Sequence, residues 1–398
     1  MTTEKLYYEN CRLAVFTGQV LACREREDGF AVILNRTAFY PGGGGQACDT
    51  GTLGDAQVTA MAEENGELLH LCDRPLAVGE TVEGRVDWLP RFIRMQQHTG
   101  EHILSGIVNK RFGYHNAGFH MNLERIQVDF DGAIPAELLP ELEAAVNNAL
   151  WQNLPVRCYV PSPEELAALS YRTKRALPWP VRIVEIPGYD RCACCGVHVA
   201  ATGEAGPVKL WSAVPFRGGT RIEMSCGIPA LNQLNRVYAQ AKEVSRLLSA
   251  PVTAIAGAAG EVCDQLEKAK YRLRQQELEA IRAEAEACRG RGDLLLLREE
   301  LAQERMVTLA DCAAENAGGT AAVFAGGNGN WRWCLVDKQK DLRPLTKEMM
   351  LRFSVRGGGK PHFQQGSAQG SKEEITAFFR ERGFAEPAVD SGQWTVDS

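Results

Sequence analysis

Two pairs of side chains in this sequence have the types and spacing for chemistry. His98 and His102 stand four apart, and so do Cys194 and His198. If the first segment is helical, both imidazoles project from one face a turn apart and can bind one metal ion. A zinc site needs three or four nitrogen or sulfur ligands in a tetrahedron, with one position open when the metal is catalytic. A single histidine is more often an ordinary part of the fold, but two compact pairs far apart in sequence are a more specific signal. Cys192 and Cys195 are rival ligands, because Cys192-x-x-Cys195 also has metal spacing. Cys194 is preferred because its offset to His198 mirrors the other pair.

The first pair admits a second chemistry. His98-Thr99-Gly100-Glu101-His102 is formally H-x-x-E-H, the inverted zincin pattern, with Glu101 as the base that activates water. A peptidase of that kind wants a third, carboxylate ligand, for which Glu185 is a candidate. This reading leaves Cys194 and His198 without a role.

Two glycine runs add candidate binding loops. Gly42 to Gly45 are consecutive and sit between Thr37, Tyr40 and Gln46. Such a backbone can adopt positive φ and approach a ligand closely, and its flanks carry more hydrogen-bonding chemistry than a connector needs. It lacks the Lys-Ser/Thr ending of a phosphate loop and the spacing of a dinucleotide turn. The second run, Arg356-Gly357-Gly358-Gly359-Lys360 through Gly366, reads as a loop with basic and amide side chains.

The elements that must hold these residues follow from periodicity. Phe92, Ile93, Met95, Ile103, Leu104, Ile107 and Val108 form an apolar stripe that predicts a helix around the two histidines, although Gly100 lowers helix propensity. Short runs at 13–16, 30–34, 57–61, 68–71 and 82–88, separated by turn residues such as Asn65-Gly66, predict five strands in a small barrel or sandwich. Strands at 122–130, 156–160, 182–186, 208–211 and 220–224 alternate with helices at 135–152 and 163–169. From Pro229, Leu231, Leu234, Val237, Val244, Val262, Leu266 and Leu273 recur at helical spacing. They predict a helical hairpin or short coiled coil that either links domains or pairs two copies in a homodimer. Strands at 294–297, 306–307, 321–324 and 333–336, with helices at 347–351 and 372–382, complete the chain. The expected class is α+β. Its layout is a small N-terminal β-barrel (1–90), an α+β domain carrying the metal ligands (91–228), a helical linker (229–290) and a C-terminal α/β domain (291–398).

Composition narrows the class of protein. The 398 residues contain no apolar run near the roughly 20 residues needed to cross a bilayer, and the N-terminus has no signal pattern. The thirteen scattered cysteines then read as reduced thiols of a cytoplasmic protein that does not enter membranes. A net charge of −6 argues against general coating of nucleic acid. Locally, Arg172, Lys174, Arg175, Arg182 and Arg191 crowd together, either as a phosphate-binding patch or as a solvated surface.

Three blocks carry a family resemblance. Thr37-x-Phe39-Tyr40-Pro41 through Gln46, His98-x-x-x-His102, and Cys194-x-Gly196-x-His198-Val199 resemble the signature blocks of the alanyl-tRNA synthetase editing domain, shared by free-standing alanyl-tRNA editing hydrolases. Order and spacing match over roughly residues 10–228, and the Arg356–Gly366 region is similar to the C-terminal domain of alanyl-tRNA synthetases. No aminoacylation domain fits ahead of the β domain. The resemblance implies hydrolysis of seryl or glycyl esters wrongly attached to alanine tRNA. It implies His98, His102, Cys194 and His198 as ligands of one zinc ion per chain. Thr37 would help read the serine hydroxyl, with Gly43, Gly44 and Gln46 in the same loop's contacts; Gln97 and Glu101 are the catalytic candidates beside the ligands. Arg172, Arg175 and Lys360 are the expected contacts to tRNA phosphates. Two departures stand out. The family's Cys-Gly-Gly-Thr-His reads Cys194-Cys195-Gly196-Val197-His198 here, and Glu101 fills a place where the family commonly has a small or apolar residue. A tRNA-binding module with purely structural zinc is the remaining alternative.

Overall fold

Along the N-terminal strands apolar and polar side chains alternate, and the apolar set turns inward. In the computed structural model, which describes residues 3–173 and 178–387, six strands close into a barrel. Their order is Val15–Arg26, Gly29–Leu34, Glu67–Cys72, Ala56–Glu64, Gly51–Leu53 and Thr81–Val86. Phe16, Val20, Leu34, Leu53, Val58 and Val82 fill it. The sequence gives five strands here. The sixth, Gly51–Leu53, is three residues long, too short for alternation to register.

The predicted histidine helix runs from Trp88 to Phe112 and ends at Gly113, in the left-handed conformation typical of a helix C-terminus. Every residue from Met95 to Gly106 is buried. The helix is therefore a core element, and its polar residues must find partners inside the protein. Its two glycines have packing reasons. A Cβ at Gly100 would lie 2.6 Å from Cys226 Sγ, and one at Gly106 would lie 2.4 Å from the Tyr189 carbonyl oxygen. Ile103, Leu104 and Val108 share a core with Val128, Ile222 and Met224 of a four-stranded sheet, and with Leu142 and Val146 of the helix Leu139–Trp151. That sheet is ordered Val208–Phe216, Gly219–Cys226, Ile126–Phe130, Asn116–Met121. The single strand expected at 122–130 is in fact a hairpin, because Asn122 caps a turn with its side chain, accepting from the Glu124 and Arg125 amides. A smaller sheet of Arg157–Tyr159, Ile183–Ile186 and Asp190–Ala193 delivers Cys194 at its end.

The chain divides into two compact units, Met1–Arg246 and Leu247–Ser398. In the second, Leu294–Arg298, Ala321–Gly327, Asn330–Val336, Phe363–Gln369 and Ser354–Lys360 form a five-stranded mixed sheet. Successive residues of one strand enter cores on opposite faces: Phe324 joins Trp333 and Phe379, while Val323 joins Ile281, Met306 and Leu309. The strand expected at Met306–Val307 is corrected to a helix, Gln303–Ala317. Met306, Ala310, Ala313 and Ala317 recur at helical spacing on its buried side. The predicted glycine-rich loop at 356–366 is corrected to a β-hairpin, Ser354–Lys360 paired with Phe363–Gln369. The helices expected after Pro229 span Ile228–Leu247 and Ile255–Ala287. Among the described residues no helix is long and apolar enough to cross a membrane.

Candidate metal centre

His98 and His102 occupy one face of the histidine helix, and Cys194 and His198 come from the loop that leaves Asp190–Ala193. The structure brings the four together. One ligand atom from each lies within 4.8 Å of the others. Cys194 Sγ is 3.5 Å from Nε2 of both His98 and His198. Close approach of the three imidazoles, tilted or edge-on with ring centroids 4.4 to 5.1 Å apart, follows from that convergence. Gly196 makes room for it, because a Cβ there would stand 2.3 Å from the His98 ring.

Each imidazole is turned by a partner on its outer nitrogen. His98 Nδ1 donates to Gln46 Oε1 at 2.9 Å; that oxygen also accepts from the Val197 amide at 3.2 Å, so it is the acceptor in both bonds. His102 Nδ1 donates to Asp190 Oδ2 at 2.8 Å. The Thr99 hydroxyl donates to the Met95 carbonyl at 2.8 Å, which leaves its oxygen to accept from His198 Nδ1 at 3.4 Å and from the Val199 amide at 3.3 Å. All three Nε2 lone pairs are thereby presented inward. Such outer partners fix tautomer and ring orientation in metal sites.

The electrostatics suit a cation. Burial pushes the Cys194 thiol up, but His98 and the bonds from His102, His198 and His98 outweigh burial and hold it well below the usual thiol range. Burial likewise works against charge on His102. Asp190 and the sulfur of Cys194 overcome it and keep this imidazole well above its ordinary value. His198, desolvated and beside His98, is pushed well below. Three nitrogens and a thiolate are the donor set zinc prefers, and a cation bound there would compete with protons for the same atoms. The residues present fit the metal.

The tetraglycine loop reaches this centre through Gln46. Gly42, Gly43, Gly44 and Gly45 all have positive φ, from +60° to +133°. The reversal is closed by Gly43 and Gln46, which exchange backbone bonds of 2.9 and 3.1 Å. Positions for a Cβ on Gly43 and Gly44 lie 3.5 and 3.3 Å from Cys195 Sγ, so the loop runs alongside this exposed thiol next to the ligand. Arg182 holds the ligand loop from the other side. Its Nη1 donates to the carbonyls of Cys194 and Gly196 at 2.9 and 2.8 Å, and its guanidinium lies over the Tyr8 ring.

The other expected residues have partners of their own. Thr37 is fully buried, with its hydroxyl 2.8 Å from His70 Nε2 and accepting from the Phe39 amide. Gln97 turns to the Asn122 carbonyl. Glu101 accepts from Ser105 and Asn116 through Oε1 and is outside the ligand set. Arg172, expected on phosphate, is half-buried and paired with Asp190, with Nε and Nη2 at 2.7 and 2.8 Å from its two oxygens. Glu185, the carboxylate a peptidase would need, is paired instead with Arg191 and is not among the ligands. Lys360 is exposed in the second unit, and Arg175 lies outside the described residues. Sequence reasoning missed Asp190 and Thr99, whose partners are distant in the chain and leave no spacing signal.

Comparison with known proteins finds two family matches. The family described as tRNA synthetases class II (A) matches residues 1–89, and the threonyl and alanyl tRNA synthetase second additional domain matches 181–224. The alanyl-tRNA editing protein AlaX-L of Pyrococcus horikoshii is 26% identical over 94% of this chain and 96% of its own length. The chain resembles the alanyl-tRNA editing proteins along nearly its whole length. The alanyl-tRNA editing protein Aarsd1 of Danio rerio is 28% identical over 69% of each chain. The alanine–tRNA ligase of Thermofilum pendens is 33% identical over 69% of this chain, which spans only 32% of that enzyme. The second-additional-domain match ends on the ligand loop and the two strands after it, the segment that contributes Cys194 and His198.

Proposed function

We propose that this chain is a zinc-containing, cytoplasmic trans-editing hydrolase that deacylates alanine tRNA mischarged with serine or glycine. The observation that carries the reading is the convergence of three imidazole Nε2 atoms and one thiolate from two distant pairs, in a chain similar to editing proteins over nearly all its length. Within it, 1–90 serve as a barrel domain, 91–228 as the deacylase, 229–290 as the helical linker and 291–398 as the C-terminal domain.

An aminoacyl ester is already activated, so the protein must position the acyl end, orient water and stabilise the developing charge. Four protein ligands complete a tetrahedron, so bound zinc would supply Lewis acidity only by taking a fifth ligand, and would otherwise position the acyl end. His98, His102, Cys194 and His198 would hold it, and Gln46 keeps His98 aimed. The exposed Gly43–Gly45 backbone can approach the aminoacyl group without side-chain interference. Glu101 holds Oε1 on Ser105 and Asn116, and its other oxygen has no hydrogen-bond partner among the described residues; it is the carboxylate suited to take a proton from water. Exposed Arg356 and Lys360 are the remaining candidates for tRNA phosphate, and exposed apolar residues such as Leu231, Leu234, Val262 and Leu266 suit pairing of two copies.

Deacylation of Ser-, Gly- and Ala-charged alanine tRNA tests the reading. Wild-type protein should release serine and glycine and spare alanine, and Cys194→Ala should lose zinc and activity together. A Cys194→Ala protein that keeps both would refute it, as would equal hydrolysis of alanine.

A further inference from the structure

The outer supports of the three imidazoles are not equivalent. His98 and His198 give their Nδ1 protons to neutral acceptors, Gln46 and Thr99, whereas His102 gives its proton to a carboxylate. The Asp190 side chain is 1% exposed, and a carboxylate this buried needs an opposite charge. Arg172 supplies it as a two-pronged fork on both oxygens, the geometry in which guanidinium and carboxylate bind most specifically.

The Arg172 backbone is fastened to the same strand that leads to the metal ligands. Its amide donates to the Arg191 carbonyl at 2.7 Å, and its carbonyl accepts from the Ala193 amide at 2.9 Å. The residue after Ala193 is Cys194. Gly106 allows the other side of the arrangement, since any Cβ there would strike the Tyr189 carbonyl and push the Asp190 turn off the helix. Arginine, carboxylate, imidazole and ligand loop thus form one continuous chain of contacts, none of it needed merely to fill space.

We infer that Asp190, held by Arg172, is a positioning device that sets the metal affinity of the centre through His102. This assigns Arg172 to the metal site and removes it from the tRNA surface. A charged acceptor both aims an imidazole and raises its basicity toward a metal, while a neutral amide in the same place does only the first. The inference rests on the zinc reading above.

The test measures zinc affinity by competition with a chromophoric chelator, alongside the absorption bands of the cobalt-substituted protein. Asp190→Ala should weaken zinc by about 10- to 100-fold, the usual effect of removing an outer partner. Asp190→Asn should fall between it and wild type, because an amide keeps the hydrogen bond and lacks the charge; this variant carries the test if Asp190→Ala does not fold. Both should shift the cobalt bands, which a purely structural residue would leave in place. Arg172→Lys should weaken zinc while the salt dependence of tRNA binding stays as in wild type. Equal zinc affinity and unchanged cobalt bands in both Asp190 variants would overturn the inference and leave the zinc reading intact. A flattened salt slope with unchanged zinc affinity in Arg172→Lys would return that arginine to the RNA surface. Wild-type protein that binds no zinc would remove the zinc reading itself, and the inference with it.

Discussion

The two glycine runs look alike in the sequence and behave differently in the structure. Gly42–Gly45 is a true loop with four consecutive positive φ values, and it folds back so that Gln46 meets His98. Gly357–Gly359 lies in a strand, in register with Gly366, Gln365 and Gln364 of its partner. Only Gly357 of the three has a positive φ. A Cβ at Gly359 or Gly366 would collide with the opposing backbone at 2.3 or 1.9 Å, so these glycines allow strands to approach. Glycine content alone marks where the chain needs close contact or unusual φ. What is gained depends on the next side chain: a glutamine aimed into a metal centre in one case, a ladder in the other.

Substitutions can break that contrast, beginning with the largest effect. Gly45→Val should destabilise the first unit by at least about 3 kcal/mol, since it combines a positive φ with a Cβ 2.4 Å from the Phe119 ring. A thermal melt would show this, and an unchanged midpoint would mean the loop is far more plastic than its geometry. Next is pH. His70, buried behind Thr37 at the entry to the first run, has its pKa lowered by burial to about 4. A depressed value means the unfolded chain binds the extra proton. The stability it contributes is full above about pH 6.5 and is lost as the pH falls toward 4, by about 3 kcal/mol in all. Urea titrations across that window should show the loss in wild type and a flatter profile in His70→Gln. Third, Gln46→Ala should weaken zinc by about 10- to 100-fold, whereas Gln365→Ala in the second run should leave it unchanged; equal affinities would detach the loop from the metal. Smallest, Gly358→Ala has open space and an ordinary φ. It should raise stability by about 0.5 kcal/mol through the unfolded chain.

The same contrast explains what could be read in one dimension. The four converging side chains were legible because each pair is local and has a fixed offset, and the histidine helix because its apolar stripe has helical period. The roles of Arg172 and Asp190 were not. A lone arginine in a basic stretch looks like a phosphate contact until its carboxylate is seen, and that carboxylate lies across a strand pairing. The contact of Thr37 with His70 was hidden for a related reason, because that partner is brought in only when the barrel closes. Met306–Val307 was misread although the signal was present: a short apolar run was weighed without the alanines that continue its helical spacing. The second glycine run lost its strand character because alternation is invisible where side chains are absent.

Arg91 stands near the start of the histidine helix and is fully buried, in a salt bridge to Asp49 that also reaches the Ala38 carbonyl. Asp49 in turn accepts from the Tyr40 amide at 2.6 Å. The two ends of the glycine loop are therefore tied to the helix by a buried ion pair, and opening either side would strand a charge in the interior at a cost of about 3–5 kcal/mol. Partial melting is thereby penalised. Barrel and metal centre should come apart in one cooperative transition, so the protein is either competent at both or at neither, and a half-open form that exposes the thiolate to oxidation is kept rare.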